Sequence, residues 1–351
     1  MSDKVLYFVP VEGKYLERWE YYKVDYDALC GIFDSVVVCT SIYQVLKNIR
    51  GTKLIYCWWW HQSAPVVLFA RMLGVRVFVT GAIHMFDLSG AADYYAKGIL
   101  YRLASRISLA LANRNLFISR DQYLQVVSHL KVKAPVVLRS SLLSEASVPA
   151  QTIIQKRAEA RSNVPSKRRI QLLTIVWHTL DQYTRKGVFE TLEALALLRD
   201  RTDIDFQWIV AGGDAPGSVE LGKRIVEMGL GDHVSVRLDI SVSEKEALFL
   251  NSDIYIQPSW CEGFGNAVLE AMSHGLPALV SRYTAQPEVV GGDGFITLEI
   301  TGDAICEQLL LFFCLSEADR QALVSRVLAR VENEFSFGRR HAELAALVAE
   351  G

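Results

Sequence analysis

Twice along this chain, short apolar runs alternate with amphipathic helical periods, and that alternation leaves few folds open. Val5–Val9, Ser35–Cys39, Leu54–Trp59, Val75–Thr80, Asn115–Ile118 and Val136–Leu138 have the length and β-branched content of buried strands. Helical periods fall between them at Tyr22–Phe33, Ala64–Leu73, Ala91–Ala112 and Arg120–His129. Strand–helix alternation of this kind builds a parallel sheet covered on both faces. The pattern stops at Ser147–Arg169, a polar stretch with Pro149, Pro165 and the cluster Lys167-Arg168-Arg169. It then restarts: strands at Ile170–Trp177, Phe206–Val210, Val234–Leu238, Ile254–Gln257 and Ala278–Ser281, helices at Lys186–Arg199 and Val219–Met228. The expectation is an α/β protein of two Rossmann-like domains with a cleft between them. The first covers residues 1–148, a linker 149–169, the second 170–334, and a helical tail 335–351 packs back on the first domain.

Composition narrows the function classes. At 351 residues, 51% hydrophobic and mean hydropathy +0.18, the chain can bury a substantial core, which excludes disorder as its dominant state. A formal charge of −2 offers no global polycation for nucleic acid. The longest apolar run, Leu309–Leu315, is far shorter than a membrane span needs. The N-terminus reads as a strand and not as an export peptide, and the six cysteines contain no CxxC pair. These features point to a cytoplasmic protein with reduced core thiols.

The charge is unevenly spread. Residues 1–150 carry a surplus of six cations, so the remainder carries −8. Lys97, Arg102 and Arg106 recur within the helical pattern of Ile99, Leu100, Leu103, Ile107 and Leu109. Two readings stay open: a basic amphipathic helix lying on an anionic membrane surface, or a core-facing helix with solvated charges.

Chemistry is concentrated in residues 257–277, which read Gln-Pro-Ser-Trp-Cys-Glu-Gly-Phe-Gly-Asn-Ala-Val-Leu-Glu-Ala-Met-Ser-His-Gly-Leu-Pro. A strand runs into a loop with Gly263 and Gly265, and a helix begins near Asn266. Glycines allow close backbone approach to a ligand, and a helix N-terminus favours an anion. Glu262 lies in the loop and Glu270 follows one helical turn in, where a carboxylate can accept from vicinal hydroxyls. This stretch resembles the signature of the retaining glycosyltransferases of family 4, which have the GT-B fold: Glu-x7-Glu within Pro-Ser-x-x-Glu-Gly-Phe-Gly, then Glu-Ala-Met and Gly-x-Pro.

The resemblance implies that Glu262 faces the donor sugar and that Glu270 binds the nucleotide ribose. It also implies that the amides of Gly263, Phe264, Gly265 and Asn266 contact sugar or diphosphate. Arg185-Lys186-Gly187 matches the family's basic motif, implied to hold the donor diphosphate. Gly212-Gly213 matches its glycine-rich turn, and Gln286-Pro287-Glu288 its closing segment, where the glutamate would be structural or a hinge. In the first domain His84, at a strand end, matches the family's cleft histidine; His61 occupies another such position, and Arg120 would line the cleft. The family's glycine-rich loop after the first strand is reduced here to Gly13, beside Lys14. The usual Pro-Asn-Gly before the second domain is replaced by Leu138-Arg139-Ser140-Ser141, and an arginine upstream of the Lys-Gly is missing, leaving Arg185 in that role.

Two Asp-x-Asp pairs, Asp25/Asp27 and Asp203/Asp205, would suit a divalent metal in another glycosyltransferase fold. The first lies in a helical pattern and the second precedes its strand, so no metal and no cofactor is expected. The resemblance implies transfer of a sugar, with retention, from a UDP- or GDP-sugar to a hydroxyl of a saccharide acceptor, carried on a polyprenyl diphosphate, in lipopolysaccharide or capsule assembly. The leaving diphosphate would help deprotonate the incoming hydroxyl, at the inner face of the cytoplasmic membrane. A nucleotide-sugar epimerase or hydrolase of the same fold, or a catalytically silent nucleotide-sugar-binding partner, remains an alternative.

Overall fold

The computed structural model describes residues 3–11, 20–85, 94–142, 148–162 and 169–350. The chain divides into two compact units, residues 1–147 with 333–351, and residues 148–332.

In the first unit β1 (Lys4–Phe8), β2 (Ser35–Cys39), β3 (Thr52–Trp58), β4 (Arg76–Gly81), β5 (Arg114–Phe117) and β6 (Pro135–Val137) form one sheet in the order β2-β1-β3-β4-β5-β6. Every pairing is parallel. Parallel strands need crossovers, supplied here by helices Glu20–Ile32, Ile42–Asn48, Trp60–Met72, Ile99–Leu111 and Arg120–His129. Burial on both faces explains why the strands are apolar throughout: Val5, Leu6, Leu54, Ile55, Val77 and Val79 have no exposed surface. The helix expected over Ala91–Ala112 runs over Ile99–Leu111, and residues 91–93 lie outside the described ones.

The C-terminal helix Phe337–Ala349 belongs to this unit. Its Arg340 is 4% exposed and reaches Asp25, fully buried in the helix Glu20–Ile32, through Nε at 2.9 Å and Nη2 at 2.5 Å. Arg340 also donates to Leu138 O at 3.0 Å and to the carbonyl of Arg139, while Tyr56 Oη donates to the other Asp25 oxygen at 2.8 Å. Asp25 thus has its partners from within the protein, and Asp27 pairs with Lys23 at 2.9 Å.

In the second unit β7 (Ile170–Ile175), β8 (Phe206–Gly212), β9 (Val234–Leu238), β10 (Ile254–Gln257), β11 (Ala278–Ser281) and β12 (Phe295–Thr297) form a second parallel sheet, in the order β12-β11-β10-β7-β8-β9. Its core is built by Leu172, Trp208, Val210, Ile254, Ile256 and Leu279 against the helices Val188–Arg201 and Gly302–Phe313. Asp205 stands just before β8 and pairs with Arg169 at 2.9 Å.

The stretch expected as a linker is corrected in its first two thirds: Ala150–Ser162 is a helix of the second unit. Its arginines point inward. Arg157 is 5% exposed and donates to Phe249 O (3.1 Å), His274 O (2.9 Å) and Ser252 O (2.9 Å). Those carbonyls belong to the C-terminal ends of helices Val242–Asn251 and Asn266–Ser273, where unsatisfied oxygens and the helix dipole favour a cation. No helix of the described residues is long and apolar enough to cross a membrane.

Removing one partner of a buried ion pair strands the other charge at a cost of about 3–5 kcal/mol. Arg340→Ala is therefore expected to lower the thermal midpoint of the first unit by several degrees, while Arg340→Met combined with Asp25→Leu recovers most of the loss. Calorimetric melting of the two variants checks this.

Candidate functional site

The carboxyl end of the second sheet is packed backbone against backbone. Past the last paired residues of β7 and β8, Val176 N donates to Ala211 O at 2.8 Å and His178 N to Gly213 O at 3.1 Å. A Cβ on Gly212, whose φ is +154°, would stand 1.9 Å from Val176 O, and one on Gly213 would stand 2.3 Å from the Trp177 ring. No side chain fits either position without moving main chain or indole. What remains above the two strands is a cleft of about 460 Å³. Gly212, Gly213, Trp177, Lys186, Lys245 and Asp239 are among the residues that line it.

Lys186 enters this cleft from the turn between helices Leu180–Arg185 and Val188–Arg201. That turn needs Gly187: its φ is +66°, and a Cβ there would meet Pro258 O at 2.5 Å. The tight passage directs the Lys186 ammonium beneath the loop after β10, where the residue is 9% exposed. Its Nζ donates to Ile175 O and to Gln257 Oε1, both at 3.2 Å. Burial lowers its pKa from 10.5 to about 8, with Glu262 pulling it up and Arg185 pushing it further down.

Glu262 is the hub of the network. Its Oε1 accepts from Arg185 Nη1 at 3.1 Å, Gln257 Nε2 at 3.1 Å and Ser259 Oγ at 3.5 Å. Tyr255 Oη donates to Gln257 Oε1 at 3.0 Å, which fixes the amide so that its NH₂ faces Glu262. Arg185 is held by Cys261 O at 3.0 Å and by Gln182 Oε1 at 2.7 Å. The second oxygen of Glu262 accepts no hydrogen bond from the described residues, so the carboxylate has one oxygen fixed and one on offer.

The loop itself is pinned by Gln286, which has no exposed surface. Its Nε2 donates to Gln257 O at 2.8 Å, and its Oε1 accepts from Ser259 N and Ser281 Oγ, both at 3.2 Å. In the Gln286-Pro287-Glu288 segment the glutamine therefore braces the loop, while Glu288 offers its carbonyl to Arg330 at 2.8 Å.

Gly265 (φ +100°) then opens the helix Asn266–Ser273 with no side chain capping it, so the first amides of the helix are not taken by a cap. Ala267 of its first turn lines the cleft. Phe264 is 3% exposed, so its ring belongs to the core and only its backbone can face a ligand; Asn266 is exposed. Glu270, one turn on, is paired with Lys245 Nζ at 2.5 Å, and Lys245 lines the cleft.

The structure thus gathers Glu262, Arg185, Lys186, Gly212, Gly213, Gly263, Gly265 and Glu270 at the carboxyl end of one sheet. His84 lies in the first unit, just past β4, where its proximity opposes the upward effect of burial on the Asp121 carboxyl. The His61 ring lies tilted against that of Tyr101, centroids 4.3 Å apart; burial, with Lys97 beside it, lowers its pKa. Arg120 starts the helix Arg120–His129. Gly13 and Lys14 lie outside the described residues. Sequence reasoning missed Gln257, Tyr255, Gln286 and Lys245. A glutamine ending an apolar strand was a legible signal for the first; Lys245 reads as an ordinary helix charge.

Residues 171–308 match the sequence model of the family described as Glycosyl transferases group 1. The MMP alpha-(1->4)-mannosyltransferase of Mycolicibacterium hassiacum is 39% identical over 109 residues, 31% of this chain and 26% of that protein. The GDP-mannose:cellobiosyl-diphosphopolyprenol alpha-mannosyltransferase of Xanthomonas oryzae pv. oryzae is 38% identical over 99 residues, 27% of this chain and 25% of that protein. The aligned part therefore spans about a quarter of the length of these curated relatives. Among solved structures, sucrose-phosphate synthase from Thermosynechococcus elongatus superposes with a TM-score of 0.76 at 14% identity, covering 99% of this chain and 98% of that one.

A diphosphate would bind Lys186 as the ammonium, so its affinity is expected to fall as pH rises through about 8, up to about tenfold per unit in the limit. The same group sets the opposite trend in stability. Above about pH 8 the unfolded chain binds the Lys186 proton and the folded chain does not, so the empty protein gains stability there with rising pH. Lys186→Met should abolish both dependences; titrating nucleotide by calorimetry and melting the empty protein across this range reads them separately.

Proposed function

We propose, from a second unit whose residues 171–308 match the glycosyl transferases group 1 within a chain of GT-B fold, that this protein transfers a sugar from a nucleotide-diphosphate sugar to an acceptor hydroxyl. The observation that carries the reading is the ammonium of Lys186, buried beside the Arg185–Glu262 pair at the mouth of an uncapped helix. A buried cation beside a helix N-terminus favours an anion, and a diphosphate is an anion of the right size and charge. Arg185 can exchange Glu262 for a phosphate oxygen, and the carboxylate so released faces the sugar.

In this reading the bond between the anomeric carbon and the diphosphate oxygen breaks as the acceptor oxygen attacks from the same face, giving retention. The acceptor proton passes to the departing diphosphate, whose charge Lys186, Arg185 and the amides of Gly265–Ala267 stabilise. Glu270 accepts the ribose hydroxyls once Lys245 yields. No divalent metal takes part, the cationic side chains doing that work. The acceptor is a saccharide on a lipid diphosphate, in surface-polysaccharide assembly at the cytoplasmic face of the membrane. The Xanthomonas relative, whose name specifies a diphosphopolyprenol acceptor, supports that choice.

Titration with UDP and with GDP, each with and without EDTA, tests the donor site. One nucleotide is expected to raise the melting temperature by about 5–10 °C at a hundredfold excess over Kd, regardless of EDTA. Silence from both nucleotides overturns the reading. Glu270→Gln should weaken nucleotide binding, whereas Glu262→Gln should lower turnover by about 10²–10³ with little change in nucleotide affinity.

A further inference from the structure

The helix Ile99–Leu111 packs with its polar side in. Ser105 and Ser108 have no exposed surface; Ser108 Oγ donates to Trp60 O at 2.6 Å and Ser105 Oγ to Tyr101 O at 2.8 Å. Small hydroxyl residues on that side let the helix lie close against its neighbour, Trp60–Met72. Leu109 joins the core on that side, whereas the apolar residues of the first turns point away: Ile99 is 73% exposed, Leu100 78% and Leu103 54%. At 100° per residue, Ile99, Leu103, Ile107 and Leu100 share an arc of about 100°, with Arg106 within about 20° of its edge and Arg102 further round. The two readings left open by the sequence are thus separated, because the apolar stripe is not the core-facing one.

The stretch of chain that carries this helix is basic, although Arg114 at its far end is paired with Glu350 at 3.5 Å. Residues 94–120 contain Lys97, Arg102, Arg106, Arg114 and Arg120 and no Asp or Glu. Arg102 and Arg106 form no ion pair among the described residues. Tyr95, 42% exposed, stands just before the helix. A second copy of the chain, docked by a two-fold axis through this face, would set these arginines against their own mates. A bilayer with anionic headgroups accommodates both halves of the pattern, aliphatic side chains at the acyl boundary and cations among the phosphates.

We propose that the outward face of helix Ile99–Leu111 docks on an anionic lipid bilayer, with Ile99, Leu100 and Leu103 inserted and Lys97, Arg102 and Arg106 on the headgroups. The inference rests on the lipid-linked acceptor proposed above for its purpose, yet it is read without sugar or nucleotide.

The test is co-sedimentation of the full chain with phosphatidylcholine vesicles, with and without phosphatidylglycerol, at low and high salt. Two double variants are compared with it: Arg102→Gln with Arg106→Gln, and Leu100→Ser with Leu103→Ser. All four positions are exposed or half-exposed, and a melting curve with a nucleotide titration confirms that each variant keeps its fold and donor site. The expected result is binding to phosphatidylglycerol vesicles only, lost at high salt. The arginine pair should lower partitioning roughly 25-fold, from about fivefold per cation, and the leucine pair should lower it at least as far. A chain that stays in the supernatant, or either variant pelleting like the original, overturns the proposal. So does a concentration-dependent dimer that the leucine pair abolishes without any vesicle binding, which would assign the face to a second copy. Vesicle binding that persists when no nucleotide binds supports the docking surface and removes the transferase reading instead.

Discussion

The depressed pKa of Lys186 corresponds to about 3 kcal/mol against its ammonium, and that is the net left after the second unit has compensated the burial locally. The left-handed turn at Gly187 brings the side chain in, Ile175 O and Gln257 Oε1 accept from it, and Glu262 supplies the compensating charge. Each of those partners is itself fixed: Gln257 by Tyr255, Glu262 by Arg185 and Ser259, and the loop by Gln286. Loosening any one of them leaves a polar group buried without its match, so the network is held together by the penalty for partial failure.

In the proposed reading, two ion pairs hold the places that a nucleotide would take. Arg185 on Glu262 and Lys245 on Glu270 neutralise two carboxylates that would otherwise repel an incoming nucleotide diphosphate. Binding is then an exchange of partners and not the creation of new charge, which keeps the desolvation of each step small. The close packing of Gly212 against Val176 and of Gly213 against Trp177 keeps side chains out of the space such an exchange needs.

Much of this was legible in the sequence where the signal was local. The helix Arg120–His129 begins and ends where its periodicity placed it, because Ser119 caps it through Gln122 N at 3.1 Å, a purely local device. Strand interiors were equally clear, since burial on both faces leaves an uninterrupted apolar run; the strand Phe295–Thr297, with two apolar residues after Gly294, did not stand out. The helix Ala150–Ser162 was hidden because what orders Arg157 is three carbonyls from residues 249–274, about a hundred positions away. At the candidate site the motif exposed Glu262, Glu270, Arg185 and Lys186. Gln257, Gln286 and Lys245 escaped it, because their roles arise from where three separate loops and helices meet. The direction in which helix Ile99–Leu111 faces was open for the same reason: periodicity defines a stripe but not what lies against it.

The bond between Arg340 and Asp25 has a consequence for how the chain is made. Asp25 leaves the ribosome 315 residues ahead of the arginine that neutralises it. Without that arginine a folded first unit would hold a carboxylate beside Tyr7 and Tyr56 with no cation. The second unit, continuous from 148 to 332, has everything it needs before the first does. Folding of the first unit from its N-terminal segment alone would leave Asp25 uncompensated, so that unit is completed only when its two stretches of chain meet.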